Sequence, residues 1–228
     1  MNYTQKKIYK INYLINKIFK ENFRERLNID WSKSSKRYSI INNIIKHKKY
    51  KKYLEIGCFQ DETFNKINID YKVGVDPVSG GTVRETSDSF FSNNKENFDI
   101  IFIDGLHRYH QVKKDIENAL KFLNTNGVVL LHDCFPLKLR DQMVPRSHEH
   151  WNGDTWKAIV EARTFEFIDT YTILADQGIG FIIKRKNRNI LKIEDTNFLN
   201  LKFKDYYNNN KKFMNTISEN QILSLLDN

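Results

Sequence analysis

The chain has 228 residues, 40% of them hydrophobic and 13% aromatic, enough for one large domain with appendages around a sizeable core. No apolar run is long enough to cross a bilayer. The basic N-terminus lacks the apolar core and small-residue cleavage site of a secretory signal, so a cytoplasmic protein is expected. Two cysteines, Cys58 and Cys134, do not make a disulfide framework; each follows an apolar run, the ordinary setting of a buried thiol. The net charge is +9, but Lys, Asn and Ile are overused throughout and Pro and Gly are scarce. That texture reads as an A/T-rich coding bias with a solvated basic surface, rather than as a nucleic-acid or membrane footprint.

In residues 1–28, Ile8, Ile11, Ile15, Ile18 and Phe19 recur at helical spacing with Lys and Arg between them. This predicts an amphipathic helix that docks on the core, with self-association and a membrane surface as the other uses of such a stripe. A polar break, "SKSSKR" (32–37), offers a Ser cap to a second helix beginning "YSIINNIIKHKK". From residue 53 the pattern changes to apolar runs that predict strands: "YLEIG" (53–57), "KVGVDP" (72–77), a weaker "TVRET" (82–86), "FDIIFIDG" (98–105) and "GVVLLHD" (127–133). Between them 61–69, 87–95 and 108–124 are helix-compatible. In the last, Val112, Ile116, Ala119, Leu120 and Leu123 form an apolar stripe. Strands alternating with helices imply βαβ units, and runs that are apolar throughout imply a parallel sheet covered on both faces. A helix in "GDTWKAIVEAR" then precedes "FEFIDTYTILA" and "IGFIIKR", a hairpin turned at Asp176-Gln177-Gly178. The expected organisation is a helical extension over 1–50, an α/β domain over 51–186, and a polar tail over 187–228 with a last helix at 212–226.

Open α/β sheets bind ligands beyond the carboxyl ends of their strands. Those ends carry Glu55 and Gly57, then Asp76, then Ser87 and Asp88, then Asp104 and His107, then His132 and Asp133. Each has a plain alternative: Asp76 can cap before Pro77, Ser87 and Asp88 can cap a helix, and His132 can line the core. The series is what argues for a site. Asp76 is placed to accept from a ribose diol, and Gly57 lets backbone approach a ligand closely. Ser87 and Asp88 could face an adenine edge. No G-x-G-x-x-G follows the first strand, which disfavours a dinucleotide oxidoreductase. Asp104 and Asp133, on neighbouring strand ends, would repel unless a divalent cation lay between them. His107, three residues past Asp104, can overhang the same place and act as a base near neutral pH. His110 is expected on the surface, and His148 and His150 on a loop, where they are read as surface or as the rim of a substrate mouth.

The run "YLEIG…VGVDP…TSDSFF…FDIIFIDGLHRYHQVKKDIENALKFLNTNGVVLLHDC" resembles the class I S-adenosylmethionine-dependent methyltransferases, over about residues 50–186. It looks closest to a small O-methyltransferase-like group associated with sugar and polysaccharide modification. The resemblance implies a Rossmann-like α/β fold: a seven-stranded, mostly parallel sheet with helices on both faces and one antiparallel strand in a C-terminal hairpin. It implies S-adenosylmethionine as cofactor. By position, Glu55 and Gly57 would meet its methionine part, Asp76 its ribose, and Ser87 and Asp88 its adenine; Asp104 is counted with the cofactor residues as well. Asp104 and His107 are similar to the Asp-x-x-His of metal-dependent sugar O-methyltransferases, in which Asp binds Mg and His is the base. Asp104, His132 and Asp133 are then the candidate ligands of a Mg or Mn ion. Two positions depart from the pattern: Asp61 stands where the first-strand motif has its second glycine, and His132 stands where the sugar enzymes have an acid.

The function expected is methyl transfer to a hydroxyl of a sugar or other small molecule, with His107 as base and Asp104 beside it. Two alternatives are a nucleic-acid methyltransferase, argued against by the lack of a basic-aromatic module, and a degenerate binding domain, suggested by Asp61. Partners expected are a small-molecule or glycan substrate, with no nucleic acid and with self-association left open.

Overall fold

The computed structural model describes residues 3–194 and 197–227. Two helices come first, α1 (Tyr3–Phe19) and α2 (Arg37–Lys48). Then follow β1 (Lys52–Ile56), β2 (Tyr71–Val75), α3 (Ser87–Asn93), β3 (Phe98–Ile103), α4 (Tyr109–Lys121) and β4 (Leu123–Leu131). A short α5 (Leu139–Gln142) and α6 (Thr155–Ala162) lead to β5 (Asp169–Ile173) and β6 (Ile179–Ile183). The remaining elements are α7 (Phe203–Met214), β7 (Thr216–Ile217) and α8 (Ile222–Asp227).

Among the described residues the strands make one seven-stranded sheet in the order β2-β1-β3-β4-β6-β5-β7. Strands β2, β1, β3 and β4 pair in parallel, β6 runs antiparallel to β4 and β5, and β7 joins β5 in parallel. This is the expected Rossmann-like α/β architecture, with the late hairpin supplying the antiparallel strand. The chain runs outward from β1 to β2 and then returns to lay β3 on the other side of β1. That reversal opens a crevice at the carboxyl ends of β1 and β3.

The continuous apolar runs have the cause expected of them. Along β3, Ile101 and Ile103 face a cluster shared with α4, α6 and α7, while Ile100 and Phe102 face one shared with α2 and α8. Helix α4 buries Val112, Ile116, Ala119 and Leu120 on one side. Val112, Ile116 and Leu120 each contribute about 1.5–3 kcal/mol on burial.

Several expectations need correction. Residues 82–86 form no strand; a single bridge, Val75 to Val83, is all that remains of one. Residues 61–69 give only a 3-10 turn at Phe64–Lys66. Asp61 has φ +61° and its Oδ1 accepts from the Gly81 N–H at 2.7 Å, so the side chain fastens the turn instead of starting a helix. No serine caps α2. Its N-cap is Lys36, and the Arg37 N–H donates to Oδ2 of Asp176 at 3.0 Å, a carboxylate at a positive helix end. The predicted last helix at 212–226 is divided among α7, β7 and α8, because Asn215 turns left-handed at φ +46° and the chain joins the sheet edge. Its polar composition conceals buried Phe203, Tyr206, Phe213 and Met214. Helix α1 does dock, but with its polar face.

The tail's role in the core has a measurable consequence. Phe203 is fully buried against Tyr206 and Phe23. Phe203→Ala should cost about 3–5 kcal/mol in urea unfolding; a loss below about 1 kcal/mol would place α7 outside the cooperative core.

Candidate active site

The ladder of backbone hydrogen bonds continues one residue beyond the strands and sets the site. Gly57 N–H donates to Val75 O, Asp104 N–H to Ile56 O and His132 N–H to Ile103 O, at 2.8, 2.8 and 3.0 Å. The first residues past β2, β1, β3 and β4 therefore stand side by side. At Gly57, with φ +89°, a Cβ would lie 2.3 Å from the Asp104 carbonyl oxygen, so only glycine lets the two strand ends approach this closely. A cleft of about 420 Å³ opens here, with Glu55, Gly57, Asp104, His107 and Asp133 in its lining.

Two imidazoles bridge two carboxylates in this cleft. His107 Nε2 lies 3.3 Å from Asp104 Oδ1, and its Nδ1 lies 3.2 Å from Asp133 Oδ2. His132 Nδ1 reaches the same two oxygens at 3.3 and 3.4 Å from the buried side. The far nitrogen of His132 is 3.7 Å from Asp176 Oδ2. Burial opposes charge on both rings, but Asp133 and Asp104 outweigh it: His107 is raised, and His132 lies well above its ordinary value. Burial would raise Asp104 too, yet His132 and His107 hold its carboxyl well below the usual range. The Asp104 carboxyl is thus biased toward its ionised form and both imidazoles toward their charged form. Asp104, His107 and Asp133 offer three donor atoms that lie within 4.8 Å of one another. Oxygen and imidazole donors of this kind suit Mg, Mn or a borderline divalent metal.

The other predicted residues are distributed around this centre. Glu55 is buried beneath it and accepts from the Tyr53 hydroxyl; burial pushes its carboxyl up to about 8. Asp76 does not line the cleft but adjoins it. Its Oδ2 accepts from the Phe59 N–H at 3.0 Å, and its Oδ1 from the N–H groups of Val78 and Ser79 at 2.8 and 2.9 Å. Burial would raise Asp76, and these N–H groups bring it below its ordinary value instead. Ser87 and Asp88 begin α3, but Thr86 is the residue that caps it. The Asp88 carboxylate is taken by Gln111 at 3.1 Å and Lys114 at 2.6 Å on α4, and Ser87 Oγ accepts from Gln111 at 3.2 Å. His110 is exposed, as expected. His148 pairs with Asp141 at 3.0 Å, whereas His150 lines the cleft.

Sequence reasoning missed the groups that hold this arrangement. Arg37, at the start of α2, donates to Asp176 at 3.0 Å and Thr63 at 2.9 Å and lies 3.6 Å from Asp104 Oδ2. Nothing in a lysine- and arginine-rich segment distinguished it, and Asp176 read as a turn residue. Trp151 stacks on His107 at 5.6 Å between ring centres, and its carbonyl lies 3.1 Å from His107 Nδ1. Asn152 donates to Asp133 Oδ1 at 2.9 Å. Gly153 packs so tightly on His107 that a Cβ there would lie 1.8 Å from the His107 carbonyl oxygen. The Asn-Gly pair after a tryptophan was the available signal.

The family model described as a methyltransferase domain matches residues 29–134. No curated protein matches the sequence. The SAH-bound methyltransferase PaMTH1 from Podospora anserina superposes with a TM-score of 0.50 at 17% identity, over 82% of this chain and 89% of that one. Cofactor-bound Rv0187 from MTB gives a TM-score of 0.50 at 11% identity, over 78% of this chain and 97% of that one. At such identities the likeness to these two structures is one of fold. Residues 29–134 are thus similar to a methyltransferase domain, and the sheet is that of the fold these two structures share.

Proposed function

We propose that the protein is an S-adenosylmethionine-dependent O-methyltransferase that acts on a hydroxyl of a sugar or other small molecule. The observation that carries this reading is the His107 ring, which lies between Asp104 and Asp133 in a cleft opposite the Gly57 turn. The PaMTH1 structure, described as SAH-bound, is consistent with that cofactor. The polar rim of Glu149, His150 and Gln177 favours a hydroxyl-rich acceptor over an apolar one.

The residues fit the cofactor at two points. Gly57 lines the cleft without a side chain to fill it, and Asp76 presents a carboxylate at the end of β2. In this reading Glu55 and Gly57 border the methionine part, Asp76 takes the ribose hydroxyls, and Ser87 and Asp88 stand toward the adenine side. Asp61 does not reach into this space, because its carboxylate is held by Gly81. Bound S-adenosylmethionine supplies a methyl group already activated on a sulfonium.

His107 accepts the proton of the acceptor hydroxyl as the new O–CH3 bond forms and the S–CH3 bond breaks. The Trp151 carbonyl orients the ring through Nδ1 and its indole fixes the ring plane, which leaves Nε2, on the Asp104 side, to take the proton. Asp104 and Asp133, with His132 as nitrogen donor, would hold a divalent cation, which supplies charge that lowers the hydroxyl's pKa. The compact donor set is Asp104, His107 and Asp133; in this reading His132 replaces His107 as the nitrogen donor, so that His107 serves as the base. A cation held there would offset the carboxylate charge that favours the protonated form of His107.

His107→Ala should lower kcat by a factor of about 10²–10⁴ while leaving cofactor affinity within about twofold by calorimetry. Unchanged turnover would remove His107 from the mechanism. The pH profile has a defined sign: His107 is raised above its ordinary 6.5, so without added metal kcat/KM should climb as pH rises through a value above 6.5. Added Mg or Mn should move that limb to lower pH and release protons in calorimetry run in two buffers. Asp104→Asn should abolish both metal effects, and a limb indifferent to metal would exclude the cation.

A further inference from the structure

Helix α1 is mounted with its apolar face outward. Toward the protein it turns Asn12, which donates to the Arg146 carbonyl at 2.8 Å, and Asn16, which is buried and donates to Asn12 O at 2.9 Å. Tyr13 lies under the Arg140 guanidinium at 5.1 Å and Tyr9 under that of Arg146 at 5.7 Å. The opposite face carries Ile8, Ile11, Leu14, Ile15, Ile18 and Phe19, all exposed, with Ile18 at 70% and Phe19 at 79%. These six positions follow the i, i+3, i+4, i+7 spacing of one helical stripe. A docked helix in a water-soluble protein buries this stripe; here it is the polar side that makes specific contacts.

The charges on α1 indicate what covers the stripe. The helix contains Lys6, Lys7, Lys10 and Lys17 and no Asp or Glu. Two such faces pressed together would bring lysines to lysines with no carboxylate on either helix to pair with them, which disfavours a second copy. An anionic lipid surface satisfies both features: the stripe enters the acyl boundary and the lysine ammonium groups reach the phosphates. Among the described residues no helix is long and apolar enough to cross a membrane, so the geometry is that of a helix lying in the plane of the surface.

We propose that α1 docks the protein on anionic bilayers through Ile8, Ile11, Leu14, Ile15, Ile18 and Phe19. Its inner face grips the segment that carries Arg146, Glu149 and His150 to the cleft rim. Docking therefore sets that rim beside the headgroups. The inference is independent of the reaction proposed above.

The test is co-sedimentation of the full chain with vesicles of phosphatidylcholine alone and with about 30% phosphatidylglycerol added. The chain should pellet with the second and remain in solution with the first. Ile11→Glu/Ile15→Glu should weaken binding at least about tenfold with an unchanged circular dichroism spectrum, since both side chains face solvent. Lys7→Glu/Lys10→Glu is a second variant that leaves the stripe intact, and it should weaken binding at least about tenfold as well. Failure to pellet, equal binding to both vesicles or undiminished binding by either variant would overturn the proposal. So would light scattering that shows a dimer dissolved by Ile11→Glu/Ile15→Glu, because the occupant would then be a second copy.

Discussion

A buried imidazole with carboxylates at both of its nitrogens is the interaction on which this molecule turns. His132 stands between Asp104 and Asp133 on one side and Asp176 on the other, nearly out of reach of water. Without its positive charge three carboxylates would share a low-dielectric region, a cost of several kcal/mol per uncompensated ion. Arg37 completes the balance from the start of α2. These residues come from β3, β4, the β5–β6 turn and α2. One electrostatic cluster thus ties together the layer on one face of the sheet, the antiparallel hairpin and the strand ends that border the cleft.

The site is completed from both halves of the chain. Residues 29–134, which match the methyltransferase domain, contain Arg37, Glu55, Gly57, Asp104, His107, His132 and Asp133. Trp151, Asn152 and Asp176 lie beyond that span and hold His107, Asp133 and His132 in place. Asp104, His132 and Asp133 stand just past strand ends, whose positions the ladder fixes, while loops supply the packing around them. Asp133 adopts φ +58°, a conformation uncommon for a residue with a side chain, at the point where β4 gives way to this loop system.

Much of this is legible in the sequence. The run ending at Asp104 is apolar on both faces because both faces are covered, and α4 shows its stripe because only one side of it is buried. Local patterns of that kind survive in sequence. The strand expected at 82–86 did not form because Gly80 and Gly81, both at positive φ, crowd the chain against β2 and leave one bridge. The helix at 61–69 failed because a tertiary bond from Asp61 to Gly81 decided the backbone. Arg37 and Asp176 are 139 positions apart, and nothing local marks a pair that only the fold brings together. The polarity of the tail misled for a related reason. In α7 a few buried aromatics do the packing, while the lysines and asparagines around them face water.

The two-residue strand β7 has an effect out of proportion to its length. Strand β5 is buried along its whole length, and β7 is what occupies its free side, through Thr172–Thr216 and Ile173–Ile217. Helix α8 then reaches back to α2, where His47 meets Asp227 at 2.7 Å. Until residues 216–227 have been synthesised, β5 is an open edge of a sheet, the kind that pairs with other chains. The sheet therefore closes only once residues 216–227 have followed β5, and a chain halted before that point exposes a sticky template instead of a finished border.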